Sequence, residues 1–261
     1  MNELASAIIL AIVQGITEWL PVSSSGHLVL FNKILGYKGD LLFDVALHFG
    51  TLMSVFVYFG ADIVDIIREL LTGKWKSENG RLGILILIAT IPAGLIGFLF
   101  RDIFESVFSN LIVVAFGFAI TGVVLLIASF GFVKTRSIEG FGYRGAIIVG
   151  LAQVFSILPG ISRSGTTISA GLLSGLKEQD AVKFSFLMSI PVILGANILV
   201  IGNNKLPPNL IWATVVSFLF GLLVLHALYK YILTSRRNLR WFGFYALLLA
   251  LVVFAFEFFR M

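Results

Sequence analysis

The sequence has no cysteine, only three histidines and few charged residues. Without cysteine, a disulfide framework, a thiolate metal site and a cysteine nucleophile are all excluded. Charged residues make up 13% of the chain and hydrophobic residues 58%, whereas soluble domains are about one quarter charged. A chain of 261 residues with so little polar material cannot cover its surface with it. We therefore expect a protein that uses lipid as part of its solvent.

The formal net charge of +5 does not indicate a nucleic-acid partner, because the basic residues lie in short connections between apolar runs. This placement is typical of residues that flank membrane helices. Residues 1–4 include no basic residue, so the start of a cleaved signal peptide is missing and we expect the first apolar run to remain in the mature protein.

A helix that crosses a membrane needs about 20 predominantly apolar residues. Six segments qualify as transmembrane helices: 41–59, 82–100, 111–133, 184–201, 210–233 and 241–259. Four other apolar pieces are too short to cross, and they form two pairs: 4–19 with 26–36, and 145–158 with 165–176.

A polar stretch with Pro and Gly interrupts each pair, PVSSSGH (21–27) in the first and PGISRSGTT (159–167) in the second. Proline cannot continue a helix cleanly, and irregular backbone at membrane depth must face protein or water. We interpret each pair as a re-entrant helix–loop–helix. The alternative, two full crossings per pair, would need longer apolar runs.

The order of segments repeats, with a broken pair before three spanning helices in residues 1–133 and again in residues 145–259. Residues 151–167 also echo residues 12–27. Three crossings per half invert the second half relative to the first. The predicted fold is therefore a single all-α membrane domain over residues 1–261, with six transmembrane helices, two re-entrant pairs and an inverted-topology repeat. In proteins built this way, binding sites lie near the midplane between the broken helices.

The basic residues predict the orientation. The side of the N-terminus carries few of them: Lys33, Lys38, Arg101, Lys205 and Arg260. The other side carries many more: Arg68, Lys74, Lys76, Arg81, Lys134, Arg136, Arg144, Lys177, Lys183, Lys230, Arg236, Arg237 and Arg240. By the positive-inside rule the second side is cytoplasmic. Both termini and the mouth of the first broken pair are then predicted to face outward.

The first break follows Gln14 and Glu18, which lie four apart on one helical face. A carboxylate at this depth costs about 2.5–3.5 kcal/mol on insertion scales, so Glu18 is a candidate for function. The alternative is a structural Glu bonded to the nearby serines. Ser24 and His27 offer a hydroxyl beside a histidine, the minimum for nucleophilic or general-acid chemistry. The hydroxyls of Ser23, Ser24 and Ser25 can also cap the next helix, which is the better interpretation for two of the three.

The second break places Arg163 among hydroxyls, just ahead of an apolar helix: Ser162, Ser164, Thr166 and Thr167. Free N–H groups at a helix start favour an anion, and a guanidinium adds a bidentate clamp for phosphate oxygens. Alternatively, Arg163 forms a structural ion pair with Glu18, which is compatible with the first interpretation. The two breaks together therefore predict a phosphate site.

Weaker candidates lie outside the two breaks. Asp44 and His48 lie four apart on the next helix and either line the same cavity or make interhelical hydrogen bonds. His226 is interpreted as an interfacial side chain, and Glu257 and Arg260 as anchors at the last helix end. The four tryptophans lie near segment ends, as interfacial aromatic residues do: Trp19, Trp75, Trp212 and Trp241.

The two breaks together resemble the undecaprenyl-diphosphate phosphatases, also called bacitracin-resistance proteins. Two motifs of that family are an (E/Q)xxxE element running into PVSSSGH, and PGxSRSG followed by Thr. This chain has QGITE (14–18) before PVSSSGH (21–27), PGISRSGTT (159–167), and the run FSFLMSIP (184–191). The resemblance covers essentially the whole chain.

The resemblance implies a bacterial plasma-membrane enzyme that converts undecaprenyl diphosphate to undecaprenyl phosphate outside the cytoplasm, which recycles the carrier for cell-wall glycan synthesis. By motif position it assigns the site to Gln14, Glu18, Ser24, His27, Ser162, Arg163 and Thr167. It also implies a divalent metal, Mg²⁺ or Ca²⁺, held by Glu18 with Gln14. Many members have Glu where this chain has Gln14. Because Gln14 is a neutral amide, a metal site with two carboxylates is not expected here.

The residues suit a substrate with an apolar tail and a diphosphate head. The attacking group is left open among Ser24 activated by His27 or Glu18, His27 itself, and metal-bound water. Translocation of a lipid phosphate and transport of a small anion are rival functions, because a midplane site also suits alternating access. The predicted partners are the polyprenyl diphosphate and membrane lipids; a homodimer is compatible with the sequence.

Overall fold

A computed structural model of the chain describes residues 3–37, 41–131, 135–201 and 208–259. Four basic residues used for the predicted orientation lie outside these ranges, Lys38, Lys134, Lys205 and Arg260, as do the last two residues of the predicted first half, 132–133. Within the described ranges the regular structure is helical, and the only β-type pairing is an isolated parallel bridge between Arg136 and Leu176.

The described helices form two sets along the chain. The first set is α1 (Glu3–Thr17), α2 (Ser24–Leu35), α3 (Leu41–Tyr58), α4 (Gly60–Leu71), α5 (Glu78–Leu99), α6 (Arg101–Val107) and α7 (Leu111–Phe130). After a 3-10 turn (Ile138–Gly140), the second set is α8 (Tyr143–Phe155), α9 (Arg163–Leu173), α10 (Glu178–Ile201), α11 (Pro208–Ala227) and α12 (Leu239–Phe258). A π-helical turn (Leu228–Ile232) continues α11, and a 3-10 turn (Arg236–Asn238) leads into α12.

Five helical stretches among the described residues are long and apolar enough to cross a membrane: Glu78–Leu99, Leu111–Phe130, Glu178–Ile198, Leu210–Ile232 and Arg236–Phe258. They correspond to five of the six predicted segments. The other predicted segment, 41–59, coincides with α3, which qualifies only together with α4, across an 81° bend. The protein is thus an all-helical, multi-pass membrane protein.

The four short apolar pieces form the short helices α1, α2, α8 and α9. With 15 residues in α1 and 13 in α8, these two helices extend roughly 20 Å each, less than the ~30 Å of bilayer hydrocarbon. A serine caps the helix that follows each break. Ser23 Oγ accepts from the N–H of Gly26 at the start of α2, and Ser162 Oγ accepts from the N–H of Gly165 at the start of α9.

The two sets of helices pack crosswise. Helix α1 of the first set contacts α11 of the second, and α8 of the second contacts α5 of the first. Helix α3 packs against α10 and α11, and α7 lies along α12. Small residues permit these contacts, as they often do in membranes. A Cβ on Gly50 would overlap the carbonyl oxygen of Thr214, and one on Gly150 would overlap that of Ala89.

The largest cluster of buried apolar side chains connects the two breaks. It includes Trp19 from the first break, Ile168 from α9, and Phe184 and Phe186 from α10. The interfacial position predicted for Trp19 is wrong, because this tryptophan is fully buried. The break after α1 is internal to the protein, so Trp19 packs against other helices. The other three tryptophans are exposed, as interfacial residues are: Trp75, Trp212 and Trp241.

Candidate active site

Glu18 directly follows α1, at the start of the segment that connects α1 to α2. Gln14, on the last turn of α1, donates from Nε2 to Glu18 Oε2 at 2.9 Å. The four-residue spacing seen in the sequence brings the two side chains together. Both are buried, so this amide and carboxylate form a polar pair within an apolar helical bundle.

Ser24 is hydrogen-bonded to the same carboxylate. Its Oγ donates to Glu18 Oε2 at 2.6 Å, and the hydroxyl is buried. Ser23, just before it, has φ of 68°, the one positive value for a non-glycine residue among those described. Such a conformation costs about 1–3 kcal/mol and persists only where surrounding contacts determine it. The backbone is therefore held in an uncommon conformation next to the serine that meets the carboxylate.

Arg163 brings the second break to the same carboxylate. Its Nη2 donates to Glu18 Oε1 at 2.7 Å, and its Nη1 donates to the carbonyl oxygen of Ser185 in α10 at 3.3 Å. The guanidinium carbon lies 5.3 Å from the centre of the Trp19 ring, within the range of a cation–π contact. The two breaks, 145 residues apart in sequence, are thus in direct contact, as the sequence predicted.

Ser162 and Thr167 support Arg163 from the start of α9. The Ser162 hydroxyl caps the helix, and its backbone N–H donates to Thr121 Oγ1 at 2.9 Å. Thr121 in turn donates to the carbonyl oxygen of Gly160 at 3.0 Å. Thr167 donates to the carbonyl oxygen of Arg163 at 2.7 Å, and its hydroxyl lies 2.7 Å from that of Ser185. The described contacts of both hydroxyls therefore hold the second break in place.

His27 lies on α2 and contacts α12, unlike the other predicted site residues. Its Nδ1 is 2.6 Å from the carbonyl oxygen of Ser23, and its Nε2 is 2.7 Å from the hydroxyl of Tyr245 in α12. The ring stacks on Tyr245 and meets Phe118 edge-on. Both ring nitrogens thus have partners, and neither partner is Ser24 or Glu18.

His48, a weaker candidate from the sequence, is close to the centre. Its Nε2 lies 3.6 Å from Glu18 Oε2, and its Nδ1 lies 2.7 Å from the carbonyl oxygen of Asp44. A contact with the main-chain carbonyl of Asp44 therefore accompanies an imidazole that faces the carboxylate. The remaining candidates lie elsewhere: His226 contacts the rings of Tyr58 and Tyr231, and Glu257 pairs with Lys33 at 3.1 Å.

Three residues near the site were not assigned to it from the sequence. Trp19 lies beneath the Arg163 guanidinium and donates from Nε1 to Ser54 at 3.1 Å. Thr121 bonds to the backbone of Gly160 and Ser162 in the second break, and Tyr245 bonds to His27. Trp19 follows Glu18 directly, which was an available signal. Thr121 and Tyr245 lie in long apolar helices where no local pattern marks them.

The polar atoms around Glu18 fit a divalent cation that is shared with an anionic ligand. No group of three or more His, Cys, Asp or Glu side chains that could hold a metal occurs in the described part of the chain, so a site made by carboxylates alone does not fit. The oxygen Oε1 of Gln14, however, is buried and has no hydrogen-bond partner. One carboxylate and one amide oxygen suit Mg²⁺, which keeps waters and binds substrate phosphates.

The arrangement can carry out a displacement at phosphorus. A carboxylate hydrogen-bonded to a serine hydroxyl can accept its proton as the oxygen attacks. A guanidinium beside them supplies positive charge and planar donors for phosphate oxygens. These groups have low exposure inside a membrane protein, where such electrostatic contacts are stronger than in water.

Comparison with known proteins agrees with this chemistry. A family model described as bacitracin resistance protein BacA matches residues 7–252. An undecaprenyl-diphosphatase of Rubrobacter xylanophilus is 42% identical over 268 residues, with 98% of each chain covered. One of Methanococcus vannielii is 40% identical over 248 residues, covering 94% of this chain and 97% of its own. One of Thermosipho melanesiensis is 40% identical over 247 residues, covering 95% and 97%.

The family model spans almost the whole chain, and these relatives are similar over nearly their full lengths. The chain belongs to the bacitracin resistance protein BacA family.

Proposed function

We propose that this protein hydrolyses undecaprenyl diphosphate to undecaprenyl phosphate and inorganic phosphate, and so recycles the lipid carrier for cell-wall glycan synthesis and gives resistance to bacitracin. The family and the names of the relatives support this activity. The observation that carries it is one buried carboxylate, Glu18, bonded to a serine of one break and the arginine of the other.

The location of the site suits this substrate. A polyprenyl tail can remain in lipid against the exposed apolar faces of the spanning helices, while the diphosphate reaches the polar groups between the breaks. Arg163 is placed to transfer its donors from Glu18 to the phosphate oxygens. Releasing Glu18 from this ion pair would make its carboxylate more able to accept a proton.

The geometry favours Ser24 as the attacking group. The proton of Ser24 Oγ passes to Glu18 as the oxygen bonds to the terminal phosphorus. The bond from phosphorus to the bridging oxygen breaks, and undecaprenyl phosphate leaves with that oxygen. Glu18 passes the proton from Ser24 to the departing undecaprenyl phosphate. Water then attacks the phosphorus of the phosphoserine and gives a proton to Glu18. The bond from phosphorus to Ser24 Oγ breaks, inorganic phosphate leaves, and Glu18 returns the proton to Ser24 Oγ. His27 is a less suitable attacker, because its Nε2 lies 2.7 Å from the Tyr245 hydroxyl.

We also propose that a divalent cation, Mg²⁺ or Ca²⁺, binds together with the substrate. Glu18 and the unpartnered Oε1 of Gln14 would hold it. When bound, such a cation neutralises phosphate charge. Arg163 with the N-terminal end of α9 supplies the remaining positive field.

The helix pairing supports the re-entrant pairs and the inverted repeat. In an inverted repeat α1 corresponds to α8, α3 to α10, α5 to α11 and α7 to α12. The contact of α1 with α11 then corresponds to that of α8 with α5, and the contact of α3 with α11 corresponds to that of α10 with α5. The short lengths of α1 and α8 support helices that enter and leave on one side.

We propose a bacterial plasma-membrane location, with the termini and the mouth of the first break outside the cytoplasm. The distribution of basic residues supports this orientation. Since the chain has no cysteine, single cysteines report sidedness cleanly. A membrane-impermeant maleimide applied to intact cells should label Ile34→Cys and leave Arg237→Cys unlabelled, both sites being exposed. The reverse labelling would contradict the orientation.

The activity is tested by phosphate release from pure undecaprenyl diphosphate by the purified protein in detergent. The wild-type protein should release one phosphate per lipid, and Arg163→Ala should release almost none. Lipid diphosphate that remains intact with the wild-type protein would contradict the proposal.

The crosswise helix pairing also favours translocation of lipid phosphate as a second function. In sealed proteoliposomes, an inactive Ser24→Ala protein should still move a labelled lipid phosphate between leaflets if translocation is separate from hydrolysis. Movement no faster than in empty vesicles would exclude it.

A homodimer stays a prediction, to be tested by the mass of the protein in detergent.

A further inference from the structure

Tyr245 is the one residue of α12 with a described hydrogen bond to the first break. Its hydroxyl lies 2.7 Å from Nε2 of His27, across 218 residues of sequence. The two rings are nearly parallel, with an interplanar angle of 6° and centroids 5.8 Å apart. The contact is therefore specific in both distance and orientation.

The two partners of His27 determine its tautomer. The carbonyl oxygen of Ser23, 2.6 Å from Nδ1, can only accept a hydrogen bond, so Nδ1 carries a proton. In a neutral ring Nε2 is then an acceptor, and the Tyr245 hydroxyl donates to it. With its lone pair occupied, Nε2 is not available to attack phosphorus or to deprotonate Ser24.

The Nδ1–H of His27 donates to the carbonyl oxygen of Ser23, a residue with an uncommon, positive φ. Ser23 is the described non-glycine residue with positive φ, and its carbonyl oxygen accepts from the backbone N–H of His27 at 3.2 Å as well as from the ring. Ser24 follows directly and donates to Glu18. The imidazole thus bonds to the backbone of the residue directly before Ser24.

We propose that Tyr245 is a positioning residue: its hydroxyl fixes the His27 ring so that Nδ1–H holds the Ser23 carbonyl and keeps Ser24 on Glu18. This inference rests on the proposed phosphatase activity. In this chain the phenol on α12 and the imidazole on α2 act through the backbone of the first break, and neither touches the substrate.

Phosphate release by the purified protein tests this inference. Tyr245→Phe should lower kcat about tenfold, because small displacements of a reacting group and loss of a supporting hydrogen bond have effects of this order. KM should change less than about twofold, since the hydroxyl makes no contact with substrate. Tyr143→Phe, which removes the hydroxyl of an exposed tyrosine at the start of α8, is the matched control and should behave as wild type.

Substitutions of His27 separate positioning from chemistry. The amide nitrogen of Asn can replace Nδ1, and that of Gln can replace Nε2. His27→Asn should therefore keep about one tenth of the wild-type rate, and His27→Gln much less. Tyr245→Phe should have no further effect in the His27→Asn protein, because its partner is already absent. Thermal unfolding in detergent checks that each variant is folded to the same extent as the wild-type protein.

The activities of these variants show whether Tyr245 positions His27. Equal loss of activity in His27→Asn and His27→Gln would overturn the inference, as would independent, multiplying effects of Tyr245→Phe and His27→Asn. A Tyr245→Phe protein as active as wild type would also overturn it and leave the phosphatase proposal intact. Absence of phosphate release by the wild-type protein would instead reject the proposed function itself.

Discussion

Replacing Arg163 by Lys keeps the positive charge and removes the planar guanidinium. In the structure this group donates to Glu18 at 2.7 Å and to the Ser185 carbonyl at 3.3 Å, and it lies 5.3 Å from the centre of the Trp19 ring. A lysine ammonium can keep the ion pair with Glu18. It cannot present two parallel donors to a phosphate or stack on the indole in the same way.

The expected effects on activity and stability differ in size. Loss of a preorganised donor to transition-state charge lowers kcat about 10²–10³-fold, equivalent to about 3–4 kcal/mol. Stability should fall by only about 1–2 kcal/mol, since one hydrogen bond and a cation–π contact are lost. Arg163→Ala would also leave Glu18 buried without its partner, at a further cost of about 3–5 kcal/mol. Arg163→Lys should therefore be nearly as stable as wild type and almost inactive.

Phosphate release gives the rate of each variant, and thermal unfolding in detergent gives its stability. Arg236→Lys is a matched control, because Arg236 pairs with Glu178 at 3.2 Å and donates to a carbonyl oxygen, that of Gly131, at 2.9 Å. It should lose similar stability and keep its activity. An Arg163→Lys protein within about threefold of the wild-type rate would refute the guanidinium's role in phosphate binding.

Four further predictions follow from individual contacts. Trp19→Leu removes the ring beneath Arg163 and should lower kcat/KM about tenfold in the release assay, since a desolvated cation–π contact contributes about 1–2 kcal/mol. Gly150→Val should lower the unfolding midpoint by overpacking against α5, at about 1–3 kcal/mol or more, whereas Gly94→Val, with open space around it, should not. Thr121→Val leaves the N–H of Ser162 unpaired and should cost about 1–3 kcal/mol of stability, which Thr121→Ser should restore. Chelation should abolish phosphate release, and Gln14→Ala should raise the Mg²⁺ or Ca²⁺ concentration needed to restore it; activity in excess chelator would contradict the cation proposal.

The sequence predicted the helical class from local patterns, and the proximity of the two breaks from the repeated order of its segments. Long apolar runs predict spanning helices directly. Glu18 and Arg163 were predicted to meet because isolated charges at membrane depth require partners. The pairing at 2.7 Å is a consequence of that requirement.

Other features depend on tertiary packing that no local pattern encodes. The contact of Tyr245 with His27 joins residues 218 positions apart, and Thr121 is one of two hydroxyl residues within an apolar helix. Tryptophan is typical of membrane interfaces, but Trp19 follows an internal break and is buried in the core. The 81° bend between α3 and α4 occurs without proline. Gly60 lies at the bend, but one glycine within an apolar run does not by itself predict a bend.

We propose that the two breaks form one catalytic unit around Glu18. The most direct test compares phosphate release by Glu18→Gln, Arg163→Lys and the double variant under single-turnover conditions. If the residues act as a unit, the double variant should be no more than about threefold slower than the slower single variant. Losses that multiply in the double variant would show two independent contributions and contradict the claim.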